Sequence, residues 1–151
     1  MRLLAKACLC VLLVLLFMSN GSREIEPDPY AWPRWRGPNG NGVVVGAEFD
    51  PDSLNGDLDI RWQIDIGYGH SGVVVSNGRV YTMGTRKEIS EVLCVDANSG
   101  KIVWRFPLGK RREGVQSTPA LDGQHVYALS DTGVLVCLDA RRGKPVWQVH
   151  L

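Results

Sequence analysis

The chain has 151 residues, 44% hydrophobic and 22% charged, with a formal net charge of +1. That is ordinary globular composition, and it lacks the basic excess of a nucleic-acid-binding surface or the charge and low hydrophobicity of a disordered chain. Seventeen glycines fit a polypeptide that turns often.

Residues 1–21 read as an export signal. Arg2 and Lys6 give a positive start, Ala7 to Met18 is an unbroken apolar run, and Ser19-Asn20-Gly21 supplies small residues for cleavage. The apolar run is too short to span a bilayer comfortably. The alternative is an uncleaved signal anchor, the chain's one expected membrane contact. Cys8 and Cys10 stand at the front of the run, whereas a lipidated cysteine would follow it. The expectation is an exported protein, periplasmic or extracellular.

Residues 22–59 change texture. Pro27, Pro29, Pro33, Pro38 and Pro51 and several glycines leave little periodicity, so the segment is expected to be an irregular strap. It contains Trp32-Pro33-Arg34-Trp35-Arg36-Gly37-Pro38. Two readings apply: a ligand site of aromatics and arginines, or tryptophans packed on a neighbouring domain with Arg34 and Arg36 capping carbonyls or stacking. The second is adopted.

From residue 60 onward, strand signals dominate. Arg61 to Ile66 alternates around Trp62 and predicts a lone outer strand over 60–66. A first repeat over 71–106 follows. Its strands are expected at Ser71–Ser76, Arg79–Met83, Glu91–Asp96 and Lys101–Phe106, with Asn77-Gly78 as a hairpin signal and Gly84 to Ser90 as a polar loop. Lys110-Arg111-Arg112 reads as a solvated connection. A second repeat spans 117–149, with strands at Ser117–Leu121, His125–Ser130, Val134–Asp139 and Lys144–Val149, and turns at Asp122-Gly123 and Asp131-Thr132-Gly133. Pro145 cannot donate to a ladder, which places its strand at a sheet edge.

The two repeats share a frame. Cys94-Val95-Asp96-Ala97-Asn98-Ser99-Gly100-Lys101-Ile102-Val103-Trp104 returns 43 positions later as Cys137-Leu138-Asp139-Ala140-Arg141-Arg142-Gly143-Lys144-Pro145-Val146-Trp147. A period of that length points to stacked or radial repeats. Asp96 and Asp139 can bond their own following backbone, Gly100 and Gly143 supply positive φ, and each tryptophan is a large apolar anchor able to dock one repeat onto the next. Trp62 precedes Trp104 by 42 positions, in phase with the period.

This frame resembles the tryptophan-docking motif of the PQQ-like, quinoprotein-type β-propeller repeat. It matches at Asp96, Gly100 and Trp104 and at Asp139, Gly143 and Trp147. Cys94 and Cys137 stand at the family's alanine position, and Ser99 and Arg142 at its threonine, so the second turn loses a side-chain hydroxyl. The Trp-Pro-x-Trp-Arg-Gly-Pro stretch is similar to the start of secreted bacterial, planctomycete-type members.

The resemblance implies an all-β fold: a partial propeller of two four-stranded antiparallel blades plus one N-terminal strand from a preceding or closing blade. Equivalent cysteines of successive blades would stand beyond the roughly 7 Å Cα separation a disulfide tolerates, so Cys94 and Cys137 are expected as buried free thiols. His70 and Gln116 precede the two inner strands, where the family's channel mouth lies, and they are the cofactor- or ligand-binding candidates.

A quinone dehydrogenase of this family would need an acidic base, calcium held by oxygen ligands, and an aromatic face for the quinone. No such constellation stands out, so no catalytic or metal residue is expected and no cofactor is assigned. The functional expectation is a non-catalytic protein-binding scaffold similar to the BamB-type outer-membrane assembly proteins, with other proteins or further blades as partners and no nucleic acid. The alternatives are a truncated PQQ-dependent dehydrogenase, with PQQ and calcium, or a gene fragment without independent function.

Overall fold

A computed structural model describes residues 28–44, 46, 50–56 and 59–151. The expected export signal, with Cys8 and Cys10, lies outside the described residues. After a short 3-10 helix at Pro51–Leu54, eight strands follow: β1 Val74–Ser76, β2 Arg79–Arg86, β3 Ile89–Asp96, β4 Ile102–Lys110, β5 Ala120–Leu121, β6 His125–Leu129, β7 Val134–Asp139 and β8 Pro145–His150. They form two antiparallel four-stranded sheets, ordered β1-β2-β3-β4 and β5-β6-β7-β8. The chain is all-β, a two-blade portion of a propeller; below, the sheets are blade 1 and blade 2.

Several boundaries differ from the sequence expectation. The inner strands are shorter than expected, beginning at Val74 and Ala120, while β4 runs on to Lys110, opposite Ile89. The segment from Gly84 to Ser90 is no loop. β2 and β3 continue through it and meet in a two-residue turn with Lys87 at φ 47° and Glu88 at φ 68°. Two left-handed non-glycine residues are unfavourable on their own. Arg111 fixes them from a distance, giving two guanidinium bonds to the Glu88 carboxylate (3.0 and 2.9 Å) and its own N–H to the Glu88 carbonyl (2.8 Å). Residues 60–66 carry no strand pairing, and their carbonyls at Asp65 and Ile66 lie instead against Arg86 and Gly84 of β2. Their alternation survives, with Trp62, Ile64 and Ile66 half-buried and Arg61, Gln63 and Asp65 exposed.

Other local signals are realised. Asn77 (φ 51°) and Gly78 (φ 68°) form the β1–β2 turn, and Pro145 sits on the outermost strand of blade 2. Both sheets carry a bulge just before the shared turn, at Cys94/Val95 and Cys137/Leu138. One core joins the blades, built around Val74, Met83, Val92, Val115, Val126 and Val136, with Trp104 and Phe106 packed against it. Cys94 and Cys137 are free and buried.

Strap residues reach the inner edge of both sheets. Trp32 exchanges two backbone hydrogen bonds with Val75 of β1 (2.8 and 3.0 Å), and the Pro33 carbonyl accepts from Leu121 of β5 (2.8 Å). Trp32 is half-buried with its ring over Gly37, and Arg36 donates to the Asn41 carbonyl (3.4 Å). Trp35 lies near Gly72 but stays 69% exposed, so only one strap tryptophan is packed away.

Candidate functional site

The repeat frame builds a docking unit of a row and a turn. Across blade 1, Val74, Tyr81, Cys94 and Trp104 stand side by side on β1 to β4; across blade 2 the row is Ala120, Tyr127, Cys137 and Trp147. At the end of each blade the Asp-Ala-x-x-Gly turn closes identically in its backbone. Gly100 N–H donates to the Asp96 carbonyl (2.9 Å) and Gly143 N–H to that of Asp139 (2.8 Å), with φ 68° and 66° at the glycines.

Trp62 and Trp104 each serve the turn of the following blade. The Trp104 indole N–H donates to the Ala140 carbonyl of blade 2 (3.0 Å), and its ring lies so close to Gly143 that a built Cβ would stand 2.5 Å away. The Tyr81 hydroxyl donates to the same carbonyl (3.3 Å). Trp62 repeats the arrangement one blade earlier, donating to the Ala97 carbonyl (2.9 Å) with its ring over Gly100. Glycine is required twice here, by its left-handed φ and by the indole where a side chain would be.

Trp147 is the third in the series and is 42% exposed. Among the described residues no acceptor meets its indole N–H and no turn lies under its ring. All six residues of β8 are exposed, including Val146 at 56% and Val149 at 46%. Trp147 and Val149, the counterparts of Trp104 and Phe106, make an apolar strip that continues the interior face blade 1 turns toward blade 2.

Beside the strip lies a polar cluster that sequence reasoning missed. Asp122 accepts from the Tyr127 hydroxyl (2.7 Å), the His125 ring (3.0 Å) and the Gln124 and His125 N–H groups (2.9 and 2.7 Å). Burial pushes this carboxyl up, but the Tyr127 bond and the three others outweigh it and hold it well below the usual carboxylate range. Its bond to Asp122, with burial next, pushes the Tyr127 phenol up to about 12. Tyr81, the blade 1 counterpart, is raised chiefly by burial. Burial likewise lifts both thiols, that of Cys94 to about 11.

The sequence candidates His70 and Gln116 come out at one end of the inner strands, both exposed. His70 N–H donates to the carbonyl of Val115, the neighbour of Gln116 (2.8 Å), and Tyr68 packs edge-on to the His70 ring at 5.9 Å between centroids. Gln116 lines an open cavity of about 330 Å³ with Arg112, Glu113, Ser117, Ser130 and Asp131. There Asp131 takes the N–H groups of Arg112, Glu113 and Gly114 on one oxygen (2.8, 2.6 and 2.7 Å). Burial raises its carboxyl and those three donors lower it further, for a net downward shift. The basic stretch is therefore an anchored connection: Asp131 holds its backbone, and Arg111 pairs with Glu88 and lies over the Tyr68 ring.

Among the described residues no three His, Cys, Asp or Glu side chains converge as metal ligands. Neither is there, among them, a helix long and apolar enough to cross a membrane.

Comparison with known proteins agrees with this geometry. The family described as outer membrane protein assembly factor BamB matches residues 45–151. No curated protein matches the chain. Among solved structures, the quinohemoprotein alcohol dehydrogenase ADHIIG of Pseudomonas putida HK5 is similar at 21% identity and a TM-score of 0.63, over 82% of this chain and 19% of that one. BamB of Moraxella catarrhalis aligns over 57% of this chain and 24% of that one, at 21% identity and a TM-score of 0.40. The first likeness shows the fold alone, and the chain spans about a fifth of the length of that structure.

Proposed function

The chain belongs to the family of the outer membrane protein assembly factor BamB, and from that premise we propose that it is an exported, non-catalytic protein-binding module. One observation carries the reading. The molecule repeats a single device, an indole N–H on a backbone carbonyl with the ring over glycine, and among the described residues the third indole, Trp147, stands 42% exposed. An exposed aromatic anchor flanked by apolar residues and a polar rim is the composition of a protein-recognition surface. The export signal read from residues 1–21 and the sequence candidates His70 and Gln116 complete the proposal: secretion brings the module to the cell envelope, and the inner-strand end offers a second, more polar contact face.

A photo-cross-linking residue at Val146 tests this in the exported protein. The expected result is covalent capture of protein at that position, with no adduct from a probe at exposed Lys101. A parallel titration with PQQ and calcium reads tryptophan fluorescence and quinone absorbance. Saturable quinone binding without capture at Val146 would overturn the proposal in favour of a quinoprotein.

A further inference from the structure

The two strap tryptophans are close in sequence and differ in what they meet. Trp32 is half-buried with its ring over Gly37, whereas Trp35 is 69% exposed between two exposed arginines, Arg34 and Arg36. We propose that this Arg-Trp-Arg turn docks an acidic peptide segment of a partner protein, with carboxylates on the guanidinium groups and an apolar side chain against the Trp35 ring. The inference rests on the protein-binding reading above and supplies the chemistry of the partner.

The turn is fixed before any partner arrives. Just ahead of it, Trp32 is bonded to β1 and the Pro33 carbonyl to β5, so the strap is tied to both blades. Within it, the Gly37 N–H donates to the Arg34 carbonyl (2.9 Å) and the Gly42 N–H to the Arg36 carbonyl (2.8 Å). Arg36 has a left-handed φ of 63°, which a long side chain adopts only where the surroundings impose it. Packing of the Trp32 ring on Gly37 supplies that constraint, since a Cβ built there would stand 2.6 Å from the ring. An aromatic held in place in advance loses little freedom on binding, which suits it to act as an anchor.

The charge beside Trp35 has no counterpart. Among the described residues neither Arg34 nor Arg36 pairs with a carboxylate, and the one bond recorded for the Arg36 guanidinium is to the Asn41 carbonyl (3.4 Å). Asp28, on the same strap, is occupied by the N–H groups of Tyr30 and Asn77 (3.0 and 2.6 Å). Two guanidinium groups flanking an indole complement carboxylates flanking an apolar residue, and tryptophan and arginine are enriched among the residues that dominate protein interfaces. The chain's net charge of +1 lacks the basic field that polyphosphate binding draws on, which favours a protein over a nucleic acid. The edge of the Trp35 ring lies over Gly72, two residues from His70, so the turn adjoins the polar inner-strand end.

Fluorescence anisotropy of a labelled peptide of alternating glutamate and leucine, titrated with the 151-residue chain, tests this. The expected result is saturable binding that weakens as salt rises, with none for a matched peptide of lysine and leucine. Trp35→Ala should weaken binding by on the order of thirtyfold, the loss of one interface hot spot. Arg36→Asn keeps a residue that tolerates left-handed φ while removing the charge, and it should weaken binding severalfold with a shallower salt dependence. Lys101→Gln removes an exposed charge outside the strap and should leave binding unchanged. Near-ultraviolet circular dichroism checks that each variant is folded, and Arg36→Asn decides if Trp35→Ala is not. Absence of saturable binding by the glutamate peptide overturns the proposal, as does binding unchanged by Trp35→Ala and Arg36→Asn. Oligothymidylate bound more tightly than the peptide overturns a protein as the occupant. Capture of protein at position 146, with no binding of the glutamate peptide, overturns this surface while leaving the protein-binding function standing.

Discussion

Blade 1 and blade 2 carry the same row of side chains and differ in what covers them. Blade 1 is closed at its turn by Trp62 and on its other side by blade 2. Its row is accordingly dry: Tyr81 is 4% exposed and Cys94 fully buried. Among the described residues, blade 2 is closed on one side only. Val136, Cys137 and Leu138 are still buried by blade 1, but Trp147 and the whole of β8 meet solvent. The unit of stability in this fold is thus the contact between successive blades; a blade on its own presents half a core.

That difference should be largest at the two tryptophans. Trp104→Ala removes a ring packed against the shared core and frees the Ala140 carbonyl, which predicts a loss of about 3 kcal/mol, typical of aromatic truncation at a packed site. Trp147→Ala, measured by urea denaturation, should cost less, about 1 kcal/mol, because the ring is 42% exposed and packs beside Tyr127 without an acceptor for its N–H. Equal effects would mean that the blades are not distinguished by their coverage.

The tyrosines sharpen the same comparison. Tyr81→Phe leaves the cost of a lost buried hydrogen bond, about 1 kcal/mol, at any pH below the phenol's own titration. Tyr127→Phe removes the donor that most depresses the Asp122 carboxyl, so its effect depends on pH. A depressed carboxylate contributes stability above its unfolded pKa of about 3.9, lost as pH falls toward the folded value. The Tyr127→Phe deficit should therefore be present at pH 7 and shrink below pH about 4, while the Tyr81→Phe deficit persists. Denaturation midpoints at the two pH values check it.

Local chemistry explains what the sequence could and could not disclose. The turns at Asp96–Gly100 and Asp139–Gly143, the Asn77-Gly78 hairpin and the edge position of Pro145 are each dictated by residues within a few positions, and all were readable. Docking of Trp62 and Trp104 on the turn of the next repeat followed from the period. The Lys87-Glu88 turn was not readable, because neither residue favours positive φ and the support comes from Arg111, 23 positions away in sequence. The anchoring of residues 112–114 by Asp131 and the Asp122–Tyr127 bond were hidden for related reasons. Asp in Asp-x-Gly reads as turn chemistry, and only the folded chain shows which backbone or side chain its oxygens meet. For 60–66 the alternation was legible but the pairing was not, since a ladder needs a neighbour that the pattern of one strand cannot supply.

The smallest effect separates the turns themselves. Their backbone bonds are the same, yet Asp96 accepts from both the Ser99 N–H (3.0 Å) and the Ser99 hydroxyl (2.8 Å), whereas Asp139 accepts only the N–H from Arg142 (2.7 Å), its guanidinium standing 3.8 Å off. The Ser99 bonds are also what chiefly hold Asp96 below the usual carboxylate range. One exposed hydroxyl–carboxylate bond contributes little to stability, and an exposed Arg–Asp pair of that length about as little. Ser99→Ala should lose that small contribution, and Arg142→Ser should come out close to wild type, because the hydroxyl gained offsets the ion pair lost. Raising the salt concentration separates the two, since only the guanidinium contribution is screened. In 1 M salt Arg142→Ser should become the more stable chain, and a second turn still weaker with serine than with arginine there would show that the hydroxyl does not tie the turn down.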